Sequence, residues 1–311
     1  MESSTFTYKD QDGVEIFVYK WSPSGAPKAA VQISHGLAEH AGRYADFAQF
    51  LTDAGYVCYG DDHRGNGKTA GDEKGLGDLG PNGWDGVVGE IKVLTDTIKK
   101  ESPGIPVYMM AHSWGSFMAQ DYIEQWGEGL KGVILSGTAG GEPPWLERKL
   151  GPMIVKRELK KVGPMSPSPT LFKSVFKPYN KAFKFGPTGF EWLSRDPAVV
   201  EKYVNDPLCG WMERAPVVLY AMLGLGLQKI REESNQQKIP KDLPIYIMYG
   251  SEDPVGKKGK GPRAVYEEYK KAGIKDVQIK VYQGARHEIL NETNRDEVYK
   301  DMLDWLDAHL K

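Results

Sequence analysis

The sequence is poor in cysteine and carries almost no net charge. Its 311 residues include two cysteines, Cys58 and Cys209, far apart in the chain, with Cys58 inside an apolar, strand-like run. We therefore expect two buried free thiols rather than a disulfide, which suits a reducing compartment. The 40 Lys and Arg residues nearly balance the 42 Asp and Glu residues. Because nucleic-acid binding requires an excess of positive charge, no nucleic-acid partner is expected.

Long apolar runs and recognisable cofactor motifs are also missing. No apolar stretch approaches the ~20 residues needed to span a bilayer, and the N-terminal segment lacks the basic start and apolar centre of a signal peptide. We therefore expect a soluble, cytoplasmic protein. The histidines and cysteines lack the paired spacing of a zinc site, and the glycine-rich residues 75–80 follow a polar loop instead of a strand. Neither a metal nor another cofactor is predicted.

Short apolar segments alternate with longer helical patterns along most of the chain. A hairpin is predicted around Asp12-Gly13, and further strands are predicted over residues 29–34, 55–60, 105–110, 132–136, 243–249 and 277–282. Helical spacing of apolar residues occurs over residues 44–54, 84–100, 116–126 and about 296–310. This alternation predicts an α/β fold with a mostly parallel central sheet and helices on both faces.

Residues 141–240 interrupt the alternation. They hold 12 of the 20 prolines, no convincing strand and several short helical pieces, such as residues 216–230. Such a segment cannot extend a parallel sheet. We predict that it is a helical cap, or lid, inserted into a core domain formed by residues 1–140 and 241–311.

The predicted cap is basic, whereas the remainder of the chain is acidic. It contains 16 Lys and Arg residues against 10 Asp and Glu residues. Lys173, Lys177, Lys181 and Lys184 recur at helix-like intervals among phenylalanines. The simpler interpretation is a solvated cap surface above an apolar underside. The alternative is peripheral contact between this basic, aromatic surface and an anionic membrane.

The most informative local pattern is Ala111-His112-Ser113-Trp114-Gly115. It lies between an apolar strand-like run and a run with helical spacing, an arrangement typical of a nucleophile elbow. Ser113 would then occupy a tight turn from strand to helix. The positions two before and two after it must carry almost no side chain, and Ala111 and Gly115 meet this requirement.

A serine hydroxyl becomes a nucleophile only with a base, an acid that orients the base, and donors for the developing oxyanion. In α/β-hydrolases the three side chains follow strands in the order Ser, Asp or Glu, His. Asp253 follows the strand at residues 243–249, and His287 follows the strand at residues 277–282. Glu252 is a rival for the acid, and a simple turn role ahead of proline is the alternative for Asp253. We predict a Ser113, Asp253 and His287 triad.

The oxyanion hole is predicted to use two backbone N–H groups, those of Trp114 and Leu37. Leu37 follows the strand at residues 29–34, in the sequence His35-Gly36-Leu37. Gly36 would allow this loop to approach the nucleophile closely, and a plain turn glycine is the competing interpretation.

Longer motifs extend beyond the elbow over nearly the whole chain. They are HGLAEHAGRY at residues 35–44 and DHRGNGKT at residues 62–69, with further matches at residues 192–197, 206–210, 250–256 and 286–292. With these motifs the chain resembles the α/β-hydrolases of the monoacylglycerol lipase and bacterial lysophospholipase family. The resemblance implies a serine carboxylic-ester hydrolase with a helical cap, cytoplasmic or membrane-peripheral. Its expected substrate is a single-chain acyl lipid, cleaved through an acyl-enzyme intermediate.

The same resemblance implies that Glu39, Arg43 and His112 line the polar end of the pocket, near the alcohol or glycerol portion of the substrate. Glu39 and Arg43 are also spaced i, i+4, so they could instead pair and pin the loop, and both interpretations could hold. Trp114 stands where the family usually has methionine, which is expected to narrow the acyl site.

Other functions of the same fold remain open at this stage. The fold also hosts short-chain esterases, thioesterases, peptidases and acyltransferases. A ligand-binding protein that kept the fold without turnover is a further alternative, which an intact triad disfavours.

Overall fold

An eight-stranded sheet forms the centre of the protein, which a computed structural model describes at residues 1–143, 145–183 and 186–310. The strands are β1 (Glu2–Lys9), β2 (Glu15–Ser22), β3 (Ala29–Ser34), β4 (Tyr56–Asp61), β5 (Val107–His112), β6 (Gly132–Ser136), β7 (Ile245–Gly250) and β8 (Val277–Tyr282). Their order in the sheet is β1-β2-β4-β3-β5-β6-β7-β8. β2 pairs antiparallel with β1 and β4, and the other pairs are parallel. The predicted, mostly parallel sheet is confirmed.

Helices cover both faces of this sheet. They are α1 (Ala45–Asp53), α2 (Gly83–Glu101), α3 (Trp114–Trp126), α4 (Trp145–Val162), α5 (Pro169–Val175), α6 (Pro197–Asn205), α7 (Val217–Lys229), α8 (Glu233–Gln236), α9 (Lys260–Lys271) and α10 (Arg295–Ala308). Successive side chains of a strand point to opposite faces, and β5 shows the result. Tyr108 and Met110 pack in a core cluster with α1 and α10, whereas Met109 and Ala111 pack with α2 and α3. This is the predicted α/β-hydrolase architecture.

Residues 141–240 supply helices α4 to α8 between β6 and β7. Among the described residues of this segment, an isolated bridge between Pro167 and Pro216 is the one strand-like pairing. The expectation of short helical pieces was wrong for α4, which runs for 18 residues. Pro152 stands inside α4, and an internal proline removes a backbone hydrogen bond and obscures the helical pattern. The segment packs on the sheet domain, because Trp211 belongs to the core cluster that includes α2 and α3.

Both cysteines are buried free thiols, as predicted. Cys58 lies in β4 and Cys209 in the segment between β6 and β7. Burial raises the pKa of each thiol, so both stay protonated and pack as small apolar side chains. As for membrane spans, no helix in the described parts of the chain combines the length and the apolar character needed to cross a bilayer.

The carboxyl ends of the parallel strands lie along one edge of the sheet. Ser34 at the end of β3 is in register with Ala111, near the end of β5, and Gly250 at the end of β7 is in register with Tyr282. The loops that follow β3, β5, β7 and β8 therefore open on the same side. These loops carry the predicted oxyanion donor, nucleophile, acid and base.

Candidate active site

Ser113 occupies a strained turn between β5 and α3. Its backbone angles are φ 52° and ψ −121°, a region that residues with a side chain rarely adopt. The turn presses the chain against the end of β3. A Cβ added at Gly115 would lie 2.4 Å from the carbonyl oxygen of Ser34 and 2.5 Å from that of His35, so only glycine fits. The small-residue pattern of the elbow thus has a steric cause.

The structure brings Ser113, His287 and Asp253 into one hydrogen-bonded chain. Nε2 of His287 lies 2.8 Å from Oγ of Ser113, and Nδ1 of His287 lies 3.0 Å from Oδ1 of Asp253. The carboxylate and the imidazole are both buried. The rival acid, Glu252, instead forms a surface ion pair with Lys258 at 2.6 Å.

The electrostatic surroundings of His287 favour its protonated form. Burial alone lowers the pKa of the imidazole. The charge and hydrogen bond of Asp253, aided by Glu288 and Glu39, outweigh that effect and raise the pKa above the ordinary histidine value. An imidazolium formed during a reaction would therefore be stabilised at this position.

His112 packs against the imidazole of His287 and is itself neutral. The two imidazole rings are 4.7 Å apart between centroids, and Nδ1 of His112 lies 3.2 Å from Oγ of Ser136. Burial, and then the nearby charge of His287, lower the pKa of His112 well below the usual histidine value. The side chain is a neutral hydrogen-bonding group at the wall of the site.

Glu39 and Arg43 form an ion pair, and Arg43 also binds Glu288 through two hydrogen bonds of 2.8 and 2.7 Å. Glu39 in addition accepts hydrogen bonds from the Gly36 N–H at 2.6 Å and the Tyr44 hydroxyl at 2.9 Å. Glu39 therefore pins the loop after β3 and also faces the cleft beside Ser113. Burial alone would raise the pKa of the Glu288 carboxyl, but the Arg43 guanidinium outweighs it and lowers that pKa.

The two predicted oxyanion donors are a residue of the cleft wall and the residue that directly follows Ser113 in the chain. Leu37 lines the cleft, and among the described residues its N–H has no hydrogen-bond acceptor. The Trp114 N–H opens α3, so it has no acceptor within the helix. The Trp114 indole is buried edge-on against the ring of His63, 5.9 Å away, and is absent from the lining of the cleft. In this arrangement the indole does not narrow the cleft.

The cleft above Ser113 is small and is lined in part by residues of the 141–240 segment. Its volume is about 20 Å³, room for roughly one water molecule. Sequence reasoning missed four lining side chains, Trp192, Leu193, Tyr203 and Glu288. The motifs at residues 192–197 and 286–292 contain all of these except Tyr203, but no spacing rule connected them with Ser113. The Trp192 ring lies 5.1 Å from that of His287.

Two groups of potential metal ligands come together away from Ser113, which their spacing in sequence did not reveal. They are His40 with Asp206 and Cys209, and Asp61 with His63 and Glu90. The imidazole of the first group bonds its aspartate at 2.9 Å. In the second, burial lowers the pKa of the imidazole, but the two carboxylates outweigh it and raise the pKa to about 10. The histidine of each group thus already has a carboxylate partner.

Comparison with known proteins gives a consistent result. A family model described as serine aminopeptidase, S33, matches residues 25–294. The monoacylglycerol lipase of Mycolicibacterium smegmatis is 28% identical over 99% of this chain and 98% of its own length. Human monoglyceride lipase is 28% identical over 90% of this chain and 82% of its own length. A thermostable carboxyl esterase from Bacillus coagulans, solved in complex with glycerol, is 29% identical, with a TM-score of 0.91 over the whole of both chains.

The family match spans most of the chain and includes every loop that carries a predicted site residue. The M. smegmatis and human relatives are both named as lipases of monoacylglycerols. The chain therefore belongs to the serine aminopeptidase, S33, family of α/β-hydrolases and is a hydrolase related to the monoacylglycerol lipases.

Proposed function

We propose that the protein hydrolyses the carboxylic ester of single-chain acyl lipids, with Ser113, His287 and Asp253 as its catalytic triad. The hydrogen-bonded chain of these three side chains carries the proposal, because it ends at Ser113 in a polar cleft. In this proposal residues 141–240 act as a cap on a core formed by residues 1–140 and 241–311. Relatives named monoacylglycerol lipase support the choice of substrate class.

In the proposed reaction, Ser113 Oγ attacks the ester carbonyl carbon while His287 Nε2 takes the hydroxyl proton. Asp253 stabilises the resulting imidazolium, and the N–H groups of Leu37 and Trp114 bind the oxyanion. The C–O bond to the alcohol then breaks, and His287 gives its proton to the leaving alcohol. Water activated by His287 attacks the acyl-serine and releases the fatty acid. No metal or other cofactor enters these steps.

The charges around the cleft favour a neutral head group such as glycerol. Glu39 and Glu288 both face the cleft, and Arg43 compensates only one of their two negative charges. A phosphate-bearing head group would be repelled, whereas hydroxyl groups could donate hydrogen bonds to these carboxylates and to His112. The related carboxyl esterase solved in complex with glycerol supports the same choice. We therefore propose monoacylglycerols ahead of lysophospholipids.

Substrate entry in this proposal requires the cap to move. A fatty acyl chain is far larger than the cleft of about 20 Å³. Trp192, Leu193 and Tyr203, all from the 141–240 segment, line the cleft beside Ser113. Their displacement would open a path from solvent to the serine.

The test is hydrolysis of monoacylglycerols and lysophosphatidylcholines of matched and increasing acyl length. We expect kcat/KM at least tenfold higher for monoacylglycerols, and no hydrolysis or fluorophosphonate labelling in Ser113→Ala. Ser174→Ala removes an exposed serine of α5 and serves as the control with unchanged activity. Hydrolysis that persists in Ser113→Ala would refute the mechanism, and a preference for lysophosphatidylcholine would refute the head-group assignment.

We also propose peripheral contact between α4 and an anionic membrane. The phenylalanines of the predicted basic surface are in part buried, since Phe172 and Phe176 pack against the core, and Lys184 lies outside the described residues. Four exposed apolar side chains lie together on α4: Trp145 (63%), Leu146 (50%), Leu150 (43%) and Met153 (66%). The same helix carries six basic residues against two acidic ones. Exposed apolar and basic side chains on one helix suit an anionic lipid surface.

Liposome sedimentation tests this contact. Binding to phosphatidylglycerol vesicles should exceed binding to phosphatidylcholine vesicles, weaken as salt is raised, and fall in Trp145→Ala/Met153→Ala. Leu225→Ala, which removes a side chain of α7 that is also exposed, is the matched control. Equal binding to both vesicle types would refute the proposal.

A further inference from the structure

Hydrogen bonds hold the backbone polar groups on both sides of the proposed oxyanion donor, in the loop after β3. The Gly36 N–H donates to Glu39, and the Gly36 carbonyl accepts from Nδ1 of His35 at 2.7 Å. The Ala38 N–H donates to Asn66 at 3.2 Å. Among the described residues, the intervening Leu37 N–H is left without an acceptor, on the wall of the cleft. The loop is fixed by its neighbours while one donor is kept free.

The Gly36 carbonyl and the Leu37 N–H belong to one peptide unit. The peptide is planar, and this one is trans, so its C=O and N–H point in opposite directions. Any group that fixes the direction of the Gly36 carbonyl also fixes the direction of the Leu37 N–H. That group is the imidazole of His35, which is fully buried.

The contacts of His35 permit a single tautomer. The Gly36 carbonyl can only accept, so Nδ1 of His35 carries the proton. Nε2 of His35 accepts from the backbone N–H of His63 at 3.0 Å and therefore carries none. A second proton would set two donors against each other. Burial and the nearby His63 also lower the pKa of His35 well below its usual value.

His63 contacts His35 through both its ring and its backbone N–H. Its ring stacks on that of His35 at 4.3 Å between centroids. Nδ1 of His63 bonds Asp61 at 3.1 Å, and Nε2 bonds the Ser34 hydroxyl at 2.9 Å. With both ring nitrogens held, His63 keeps its backbone N–H aimed at Nε2 of His35.

We propose that His35 is a positioning residue that aims the Leu37 N–H at the reacting oxyanion by holding the Gly36 carbonyl through Nδ1–H. The inference rests on the proposed function, because it assigns Leu37 to the oxyanion hole. His35 is not among the residues that line the cleft, so its effect on the reaction is indirect. It acts by setting one torsion of the loop.

The consequence is specific to the transition state. Loss of one oxyanion donor costs about 10²- to 10³-fold in kcat, and a misaimed donor should cost about 10- to 100-fold. Ground-state binding of the ester hardly uses this donor, so KM should change little. If His35 had a purely structural role, its substitution would lower the amount of folded enzyme, and the folded fraction would keep the kcat of the parent.

Two substitutions separate the two contacts of the ring. In His35→Asn the side-chain amide nitrogen takes the place of Nδ1 and can still donate to the Gly36 carbonyl, but the acceptor for His63 is lost. In His35→Gln the amide oxygen replaces Nε2 and accepts from His63, but the donor to Gly36 is lost. We expect His35→Gln to lose about 10- to 100-fold in kcat with KM within about twofold, and His35→Asn to stay within about fivefold of the parent.

A trifluoromethyl ketone, which forms a charged tetrahedral adduct with the serine, supplies a second measurement. Its affinity should fall in His35→Gln by the same factor as kcat. Full kcat in His35→Gln, or equal kcat losses in both variants, would overturn the inference while Ser113→Ala remains inactive. Activity in Ser113→Ala would instead refute the proposed function itself.

The parent enzyme offers a test that does not depend on the folding of a variant. Nitrogen-15 NMR of labelled histidine should show His35 as the neutral Nδ1–H tautomer from pH 5 to pH 9. An Nε2–H tautomer, or titration of His35 within this range, would overturn the inference.

Discussion

At the scale of single residues, His287 determines how the proposed activity depends on pH. The base must be neutral to accept the Ser113 proton, so activity is lost as the pH falls through the pKa of His287. Asp253 raises that pKa. We therefore predict that the acidic limb of kcat/KM has a midpoint above the ordinary histidine value of about 6.5.

Asp253→Asn checks the cause of that shift. Without the carboxylate, the pKa of His287 should fall and the acidic limb should move to lower pH, with kcat reduced by about 10⁴-fold. Glu252→Gln, at the neighbouring exposed carboxylate, should leave both unchanged. A limb that stays in place in Asp253→Asn would contradict the electrostatic assignment.

Gly115 tests the steric origin of the elbow. In Gly115→Ala the new Cβ would overlap backbone oxygens of the loop after β3. Ser113 and the loop after β3 would separate, so we predict a kcat loss of at least about 10²-fold and a lower free energy of unfolding. Gly151→Ala in α4 meets open space and should raise helix stability by up to about 1 kcal/mol. Measurements of kcat and of urea unfolding for both variants test whether the requirement for glycine at position 115 is steric.

At the scale of elements, a buried ion-pair network ties the β1–β2 hairpin to α2. Arg64 lies after β4 and binds Glu90 of α2 at 3.0 Å, Asp12 of the hairpin at 2.7 Å, and Asp10. Removing one member of a buried network leaves uncompensated charges. We predict that Arg64→Ala lowers the free energy of unfolding by about 3 to 5 kcal/mol.

The matched control for Arg64 is a surface ion pair on the same helix. Lys92 pairs with Asp96 at 2.5 Å on the solvent side of α2. Lys92→Ala should change the free energy of unfolding by less than about 1 kcal/mol, since exposed pairs contribute little. Denaturant unfolding should show a clearly larger loss of free energy of unfolding for Arg64→Ala than for Lys92→Ala. Equal losses would contradict the stabilising role of the buried network.

Elements that bury both faces were predictable from the sequence, and those that depend on tertiary contacts were not. β3 and β6, which are buried throughout, begin and end where expected, because strands of a parallel sheet are short apolar runs bounded by turn residues. β8 also has the expected bounds, although it is a half-buried strand at the edge of the sheet. Pro152 concealed α4, and α9 was not predicted. Chain order led to the proposed triad, whose three side chains are hydrogen-bonded in the structure. Tyr203 was missed because it reaches the cleft only once the 141–240 segment packs on the core, and Glu288 because its side chain is held at the cleft by Arg43, 245 residues away in the chain.

The loop after β3 also has contacts that its sequence motif did not predict. His35 and His63 precede the serine in the chain, so the order of triad residues excluded both as the base. Their contacts with Gly36 and with each other depend on the pairing of β3 with β4. A sequence pattern does not show which ring nitrogen faces a carbonyl.

At the scale of the whole molecule, the exposed face of α4 and three side chains that line the cleft belong to the same segment, residues 141–240. Trp145, Leu146, Leu150 and Met153 of α4 are exposed to solvent, while Trp192, Leu193 and Tyr203 of that segment line the cleft at Ser113. Contact with a lipid surface would cover the exposed apolar side chains of α4. If the same contact displaces the segment from the core, it would also lower the barrier to substrate entry. The accessibility of Ser113 should then depend on lipid and on probe size.

Fluorophosphonates of two sizes measure that accessibility directly. Labelling of Ser113 by a long-chain alkyl fluorophosphonate should become several-fold faster with anionic vesicles, whereas labelling by a small dimethyl analogue should change little. The acceleration should be lost in Trp145→Ala/Met153→Ala and kept in Leu225→Ala, because only the former removes apolar side chains of α4. Equal acceleration of both probes would indicate a general effect of lipid on the triad. No acceleration would show that lipid contact does not change access to Ser113.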